Sequence, residues 1–277
     1  GRVRWLTWNP NSKTIASTRE DKTIRFWNLD NALVKTLHGH KNGIIKVAIS
    51  SDGKTIASAS DDSTIKLWNR NGELLQSIPS KSRGFLDVNF SPDNKIIASA
   101  GNDNVIKLWT TEGKKLGVLK GHNARIWSVV FSPNGKKIVS GSEDGTVKLW
   151  SIDGTLIDTI DTGQGIIRAA IFSPDGNTIA SGGKNGTIKF WNRQGELLNT
   201  FKGHFDNVVA IAFSPDGKTI ASASLDKNIK LWQRNGELIS TLRGHNIDTR
   251  GVAFLPIPLK SSDNNNQDYM IASASGD

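Results

Sequence analysis

Apolar and polar positions recur along this chain in a fixed order. Short apolar runs such as VNF at 88–90, VVF at 129–131 and IAF at 211–213 each stop at a Ser-Pro pair followed by Asp or Asn. A small and β-branched stretch comes next, TIASAS at 55–60 and again at 219–224. A third stretch alternates apolar residues with Lys, as in TIKLW at 64–68 and TVKLW at 146–150. A fourth, such as ELLQSI at 73–78, follows a short Asn-Gly loop, Asn71-Gly72 or Asn235-Gly236. Period-two alternation broken by Pro and Gly turns predicts strands, and no 3.6-residue period competes with it. The Asn-Gly pairs predict tight two-residue hairpins with positive φ at both central positions.

The strands themselves repeat. Trp stands at 27, 68, 109, 150, 191 and 232, and the interval never changes. Four strands in each period predict an all-β propeller of four-stranded antiparallel blades. Trp8 stands as far before Trp27 as Phe213 stands before Trp232, so the chain opens in the first strand of a blade. At the other end IASAS at 271–275 matches IASAS at 56–60, and no third strand follows. Residues 1–277 therefore read as a single propeller of the seven-bladed type, six full blades and the first half of a seventh. The expectation is a piece of a longer chain, with a gap in the ring where two strands are missing. The stretch PIPLKSSDNNNQDYM at 256–270 lengthens one hairpin and is expected to be a flexible tip.

A Gly-His pair recurs at 39–40, 121–122, 203–204 and 244–245. With the periodic Trp, it makes the whole chain resemble the WD-repeat family. The family's Trp-Asp dipeptide is absent, since Asn28, Asn69, Thr110, Ser151, Asn192 and Gln233 follow the six Trp. The regularity is similar to propellers of bacterial multidomain proteins, often fused to kinase or nucleotide-hydrolysing modules. The resemblance implies a buried chain of Trp, Ser, His and Asp within a blade. Three blades hold the full set: His40, Ser58, Asp62 and Trp68; His122, Ser140, Asp144 and Trp150; His204, Ser222, Asp226 and Trp232. A buried indole N–H needs an acceptor, and each group passed along must be satisfied in turn. Elsewhere Lys81 or Gly163 stands in place of His. Those blades are expected to be held less firmly, by about 1 kcal/mol for each neutral bond lost.

The resemblance also implies that partners meet the narrow face carrying the Gly-His loops. Three positions per blade point there: three and five residues after the His, and seven before the Trp. They differ between blades while the frame stays constant. The candidate partner residues are Arg4, Ile45, Leu86, Arg125, Trp127, Arg168, Val209, Leu225 and Arg250. Trp127 and Arg125 are the residue types that most often anchor interfaces.

Charge changes this picture little. The net charge is +9, but Arg25, Lys66, Lys107, Lys148, Lys189 and Lys230 recur once per repeat. Spread round a ring, they are expected to be solvated. The chain has no Cys, so no disulfide or thiolate metal site can form. No apolar run nears the ~18 residues of a membrane span. A cytoplasmic protein without cofactor, metal or membrane contact is expected.

Recurrence of Ser, His and Asp invites a hydrolase reading. A single active site does not explain three sets, each with its Trp, whereas structural bonding does. Gly53-Lys54-Thr55 and Gly217-Lys218-Thr219 resemble the tail of a phosphate loop, but Ala48 and Ala212 stand where its first Gly belongs. Asp263 and Asp268 offer a cation only their spacing. The expectation is a non-catalytic interaction or sensing scaffold with protein partners, a module of a larger regulatory protein. The alternative is a nucleic-acid surface using Arg4, Arg125, Arg168 and Arg250. A propeller enzyme is third.

Overall fold

The computed structural model describes residues 2–9, 13–80, 84–255 and 269–277. Lys81 and the inserted residues 256–268 lie outside these, and with them fall the expectations about a weakened third blade, a flexible tip and a cation at Asp263 and Asp268.

Six four-stranded antiparallel sheets, each in simple sequential order, span residues 3–37, 44–79, 85–120, 126–161, 167–202 and 208–242. A seventh sheet holds two strands, Thr249–Phe254 and Ile271–Ser275. The repeat therefore builds a propeller of six full blades and one incomplete blade.

The expected gap is confined to the periphery. Each blade's first strand packs beside the first strand of the next, and Thr249–Phe254 packs against both Val208–Phe213 and Val3–Asn9. Seven inner strands thus close the ring although the seventh sheet has two strands, because the axis is lined by first strands alone.

The core lies between blades. One such layer sets Ile65, Leu67 and Ile78 of the second blade against Phe85, Val88 and Trp109 of the third. The next sets Ile106, Leu108 and Leu119 against Ile126, Ile138 and Trp150. A sheet buried on both faces explains why the second strands are small and fully buried, as in Ala57, Ala59, Ala221 and Ala223. Trp5 packs at both ends of this series, against the layer of the first two blades and the layer of the last two.

The hairpins between third and fourth strands differ from the expected type. Gly72 and Gly236 take positive φ, at 88° and 94°, whereas Asn71 and Asn235 do not. The Gly72 N–H bonds to the Asn69 carbonyl, and the register slips between Leu67 and Trp68. The loop is a turn closed by a glycine bulge, so only the glycine needs the left-handed region.

The periodic Lys residues also differ from expectation. Lys66, Lys148 and Lys230 are buried, and their ammonium groups donate to Ser77, Thr159 and Thr241 in the fourth strand of the same blade at 2.8–3.0 Å. A Lys can lay its four-carbon stem along a sheet face and still place its charge on a hydroxyl. Their recurrence is a frame feature and not a solvated charge.

Candidate functional site

All six periodic Trp donate their indole N–H to the Ser ten positions earlier, at 2.8–2.9 Å. In the second blade, His40 Nε2 lies 2.7 Å from Ser58 Oγ and Nδ1 lies 2.8 Å from Asp62. The carboxylate can only accept, so Nδ1 carries the proton and Nε2 accepts from Ser58. His122 with Ser140 and Asp144, and His204 with Ser222 and Asp226, repeat the arrangement at 2.7–2.8 Å. Burial holds all three imidazoles below their usual pKa of 6.5, against the opposing pull of the paired Asp. Burial would raise Asp62 and Asp144. Hydrogen bonds from Thr64 or Thr146, a backbone N–H and the His outweigh it and hold both carboxyls at about 2. Ser58, Ser140 and Ser222 are fully buried and engaged on both sides. No substrate can reach them, so these sets are struts. Gly39 fits the strut closely, since a Cβ there would sit 2.9 Å from the Trp68 ring.

The fifth blade departs from the sequence reading. Gly163 does not occupy the His slot. Gly163 and Gly165, both with positive φ, turn the loop so that Gln164 enters it. Its carbonyl oxygen accepts from Ser181 Oγ at 2.6 Å, and its amide donates to the Thr187 carbonyl at 2.8 Å. The chain is complete with an amide in place of imidazole. Ser181→Ala is therefore expected to cost about as much as Ser140→Ala, about 1–3 kcal/mol for a buried indole left without its acceptor. Urea titration of both variants checks this; a loss at Ser181 under half that at Ser140 would show that Gln164 does not replace His. The half blade carries a further set: His245 meets Ser273 at 2.9 Å and Asp277 at 3.0 Å.

The candidate partner residues meet at one end of the axial channel. Arg4, Ile45, Leu86, Trp127, Arg168, Val209 and Arg250 each stand where the register of an inner strand slips past its neighbour. A bulge turns one side chain out of the alternation, and here it recurs in all seven blades. All seven residues line one cavity of about 540 Å³ at the mouth of the channel, with Arg125 and Leu225 on its rim. Those two belong to the loops. Arg125 O accepts the Glu143 N–H at 2.9 Å and Leu225 N–H bonds to Asn207 O at 3.0 Å. The same backbone bond joins Arg2 to Glu20 and Ile166 to Lys184. It locks two of the three face positions of a blade to each other.

Around the mouth the arginines differ in what they carry. Arg4 pairs with Glu20 at 3.2 Å and reaches Asp61 of the next blade at 3.8 Å. Arg125 lies 3.7 Å from Glu143, and Arg250 is paired with Asp248. Arg168 has no carboxylate within ion-pair distance among the described residues. Its guanidinium carbon lies over the Trp127 ring, 4.4 Å from the centre. Burial, and then the nearby Arg250, push its pKa down.

Two features were not legible in the sequence. Lys46 and Asp87, on the inner strands of consecutive blades, form a buried ion pair at 2.8 Å. Opposite charges one repeat apart on an inner strand were the available signal. Phe205, directly after His204, is 93% exposed. No spacing rule marks it, because its position varies freely between blades.

Among the described residues no cluster of His, Asp and Glu could hold a metal, and no helix is long and apolar enough to cross a membrane. The family described as IFT122 first beta-propeller matches residues 2–170, more than half of the chain. The family described as WD domain, G-beta repeat matches residues 154–192 and 195–233. No curated relative matches the chain.

Proposed function

The chain belongs to the WD-repeat β-propeller family, and on that premise we propose that it is a non-catalytic protein-interaction or sensing module whose partner enters at the channel mouth. The observation that carries this reading is the shared placement of the variable residues. Seven bulges on a uniform frame aim their side chains, which vary from blade to blade, into one cavity. WD-repeat propellers generally mediate protein interactions. A cytoplasmic setting and a place within a larger regulatory protein belong to the same proposal.

The balance of charge at the mouth supports a protein partner over nucleic acid. Binding a polyanion draws on an array of free cations. Three of the four candidate arginines already carry carboxylates. A protein partner needs apolar and aromatic contact at the centre, which Ile45, Leu86, Trp127 and Val209 offer.

The test is capture from protein and nucleic-acid pools at two salt concentrations, followed by affinity for the captured partner. Trp127→Ala is expected to weaken binding by about 2 kcal/mol or more, roughly thirtyfold, with modest salt dependence. A steep fall in affinity with salt, shared among the arginines, would favour nucleic acid. Unchanged affinity in both Trp127→Ala and Arg125→Ala would remove the channel mouth from consideration.

A further inference from the structure

We propose that Arg168, set over the Trp127 ring at the channel mouth, receives a single carboxylate from an Asp or Glu side chain of the partner. This inference rests on the channel mouth being the partner face.

Four observations converge on it. Arg168 is half-buried and lacks any ion pair or hydrogen bond among the described residues, while the other three arginines of the mouth have carboxylates. The Nε–H of Arg168 is sealed from solvent without an acceptor, and so is the indole N–H of Trp127 beside it. The guanidinium carbon lies over the Trp127 ring, 4.4 Å from its centre, so the cation is held against the indole instead of reaching into solvent. Burial and Arg250 disfavour its charge more than the more distant Glu143 and Asp206 favour it, and an anion placed directly on the guanidinium offsets that balance.

A partly desolvated arginine with an open fork matches a carboxylate, which accepts two parallel N–H bonds. A doubly charged phosphate would call for a second free cation, and the neighbouring Arg250 is committed to Asp248. The residues that flank this pair around the ring are Leu86 and Val209, with Leu225 on the rim. The occupant is therefore a peptide in which an acidic residue lies next to an aliphatic one. The cavity of about 540 Å³ admits one or two side chains; a duplex is too wide to enter.

The experiment uses the whole chain labelled with ¹⁵N at arginine and tryptophan, with Arg168→Lys and Trp127→Phe identifying the two resonances. The probes are capped hexapeptide pools that differ at one fixed position: Glu, Gln, phosphoserine or Lys. The expected result is a saturable shift of the Arg168 Nε–H and Trp127 Nε1–H signals with the Glu pool alone, and affinity lowered roughly tenfold or more in Arg168→Gln. Because Arg168 is charged and only half-buried, the thermal midpoint of Arg168→Gln should stay close to that of the wild type, and an unfolded variant would be replaced by Arg168→Lys, which keeps the charge and loses the fork. Equal binding of the Glu and Gln pools overturns the proposal. So does preference for the phosphoserine pool, which would assign the site to phosphate, or a saturable shift with none of the pools. If the captured partner loses affinity for Trp127→Ala but not for Arg168→Gln, the mouth remains the partner face and only the carboxylate anchor is wrong.

Discussion

Lys46→Met is expected to lower the stability of the propeller by about 3–5 kcal/mol, the scale for a buried charge stripped of its partner. Asp87 is completely buried, and its Oδ2 takes both the Lys46 ammonium at 2.8 Å and the Val129 N–H at 2.8 Å. The Lys46 ammonium also lies 4.2 Å from the centre of the Trp5 ring. One short path thus joins the first four blades through Trp5, Lys46, Asp87 and Val129. Removing the ammonium leaves the Asp87 carboxyl without its cation in a site where burial already raises its pKa.

The pH dependence has a definite sign. A carboxyl whose folded pKa is raised favours the fold when protonated, and that contribution disappears as pH rises through the folded pKa. The deficit of Lys46→Met relative to wild type should therefore shrink as the solution is acidified. Replacing both partners by apolar residues, Lys46→Met with Asp87→Leu, should recover much of the loss, because two desolvated charges disappear together. Urea unfolding at two pH values measures all three. A deficit under about 1 kcal/mol in the single variant would mean that water reaches the pair.

The second large effect is loss of stability in acid, centred on the struts. The His residues of three struts are neutral in the fold, with pKa values below 6.5. A depressed folded pKa contributes stability that is present above the unfolded value and lost as pH falls. Asp62 and Asp144 follow the same sign, from an ordinary 3.8 to about 2 in the fold. Loss should therefore begin below about pH 6.5 and steepen between about pH 4 and 2. Each of the two carboxylates contributes about 1–2 kcal/mol after allowance for screening. Asp62→Asn with Asp144→Asn should be less stable than wild type at neutral pH and should flatten the acid limb. Denaturant midpoints from pH 7 to 2 report this, and an unchanged acid limb in the double variant would show that other carboxylates dominate it.

The repeat itself was open to reading because its causes are local. A Trp at constant interval, a Ser ten before it and an Asp or Asn six before it mark the same strand and turn in each blade. Sequence offsets therefore act as spatial offsets. The face positions were legible for the same reason. Counting five residues from His40, His122, His204 and His245 lands on Ile45, Trp127, Val209 and Arg250, the residues that bulge in their inner strands, although nothing in the residues announced a bulge. Where local spacing ceased to be uniform, the offsets misled. Counting placed Gly163 in the His slot, but two left-handed glycines moved Gln164 into it. Lys66, Lys148 and Lys230 looked solvated because the sequence shows a charge and not the path of its stem.

Sequence alone determined the blade, the count of blades and the residues that vary on a fixed frame, since each depends on spacing within one repeat. Only the tertiary structure decided what happens between repeats. It closed the ring through Thr249–Phe254 and Val3–Asn9, paired Lys46 with Asp87, and set Arg168 over the Trp127 ring while giving its neighbours carboxylates. The closure, the ion pair and the cation–ring contact join residues of different blades, and their energies depend on the rotation from one blade to the next. That rotation is set by packing over the whole ring, and no single repeat encodes it.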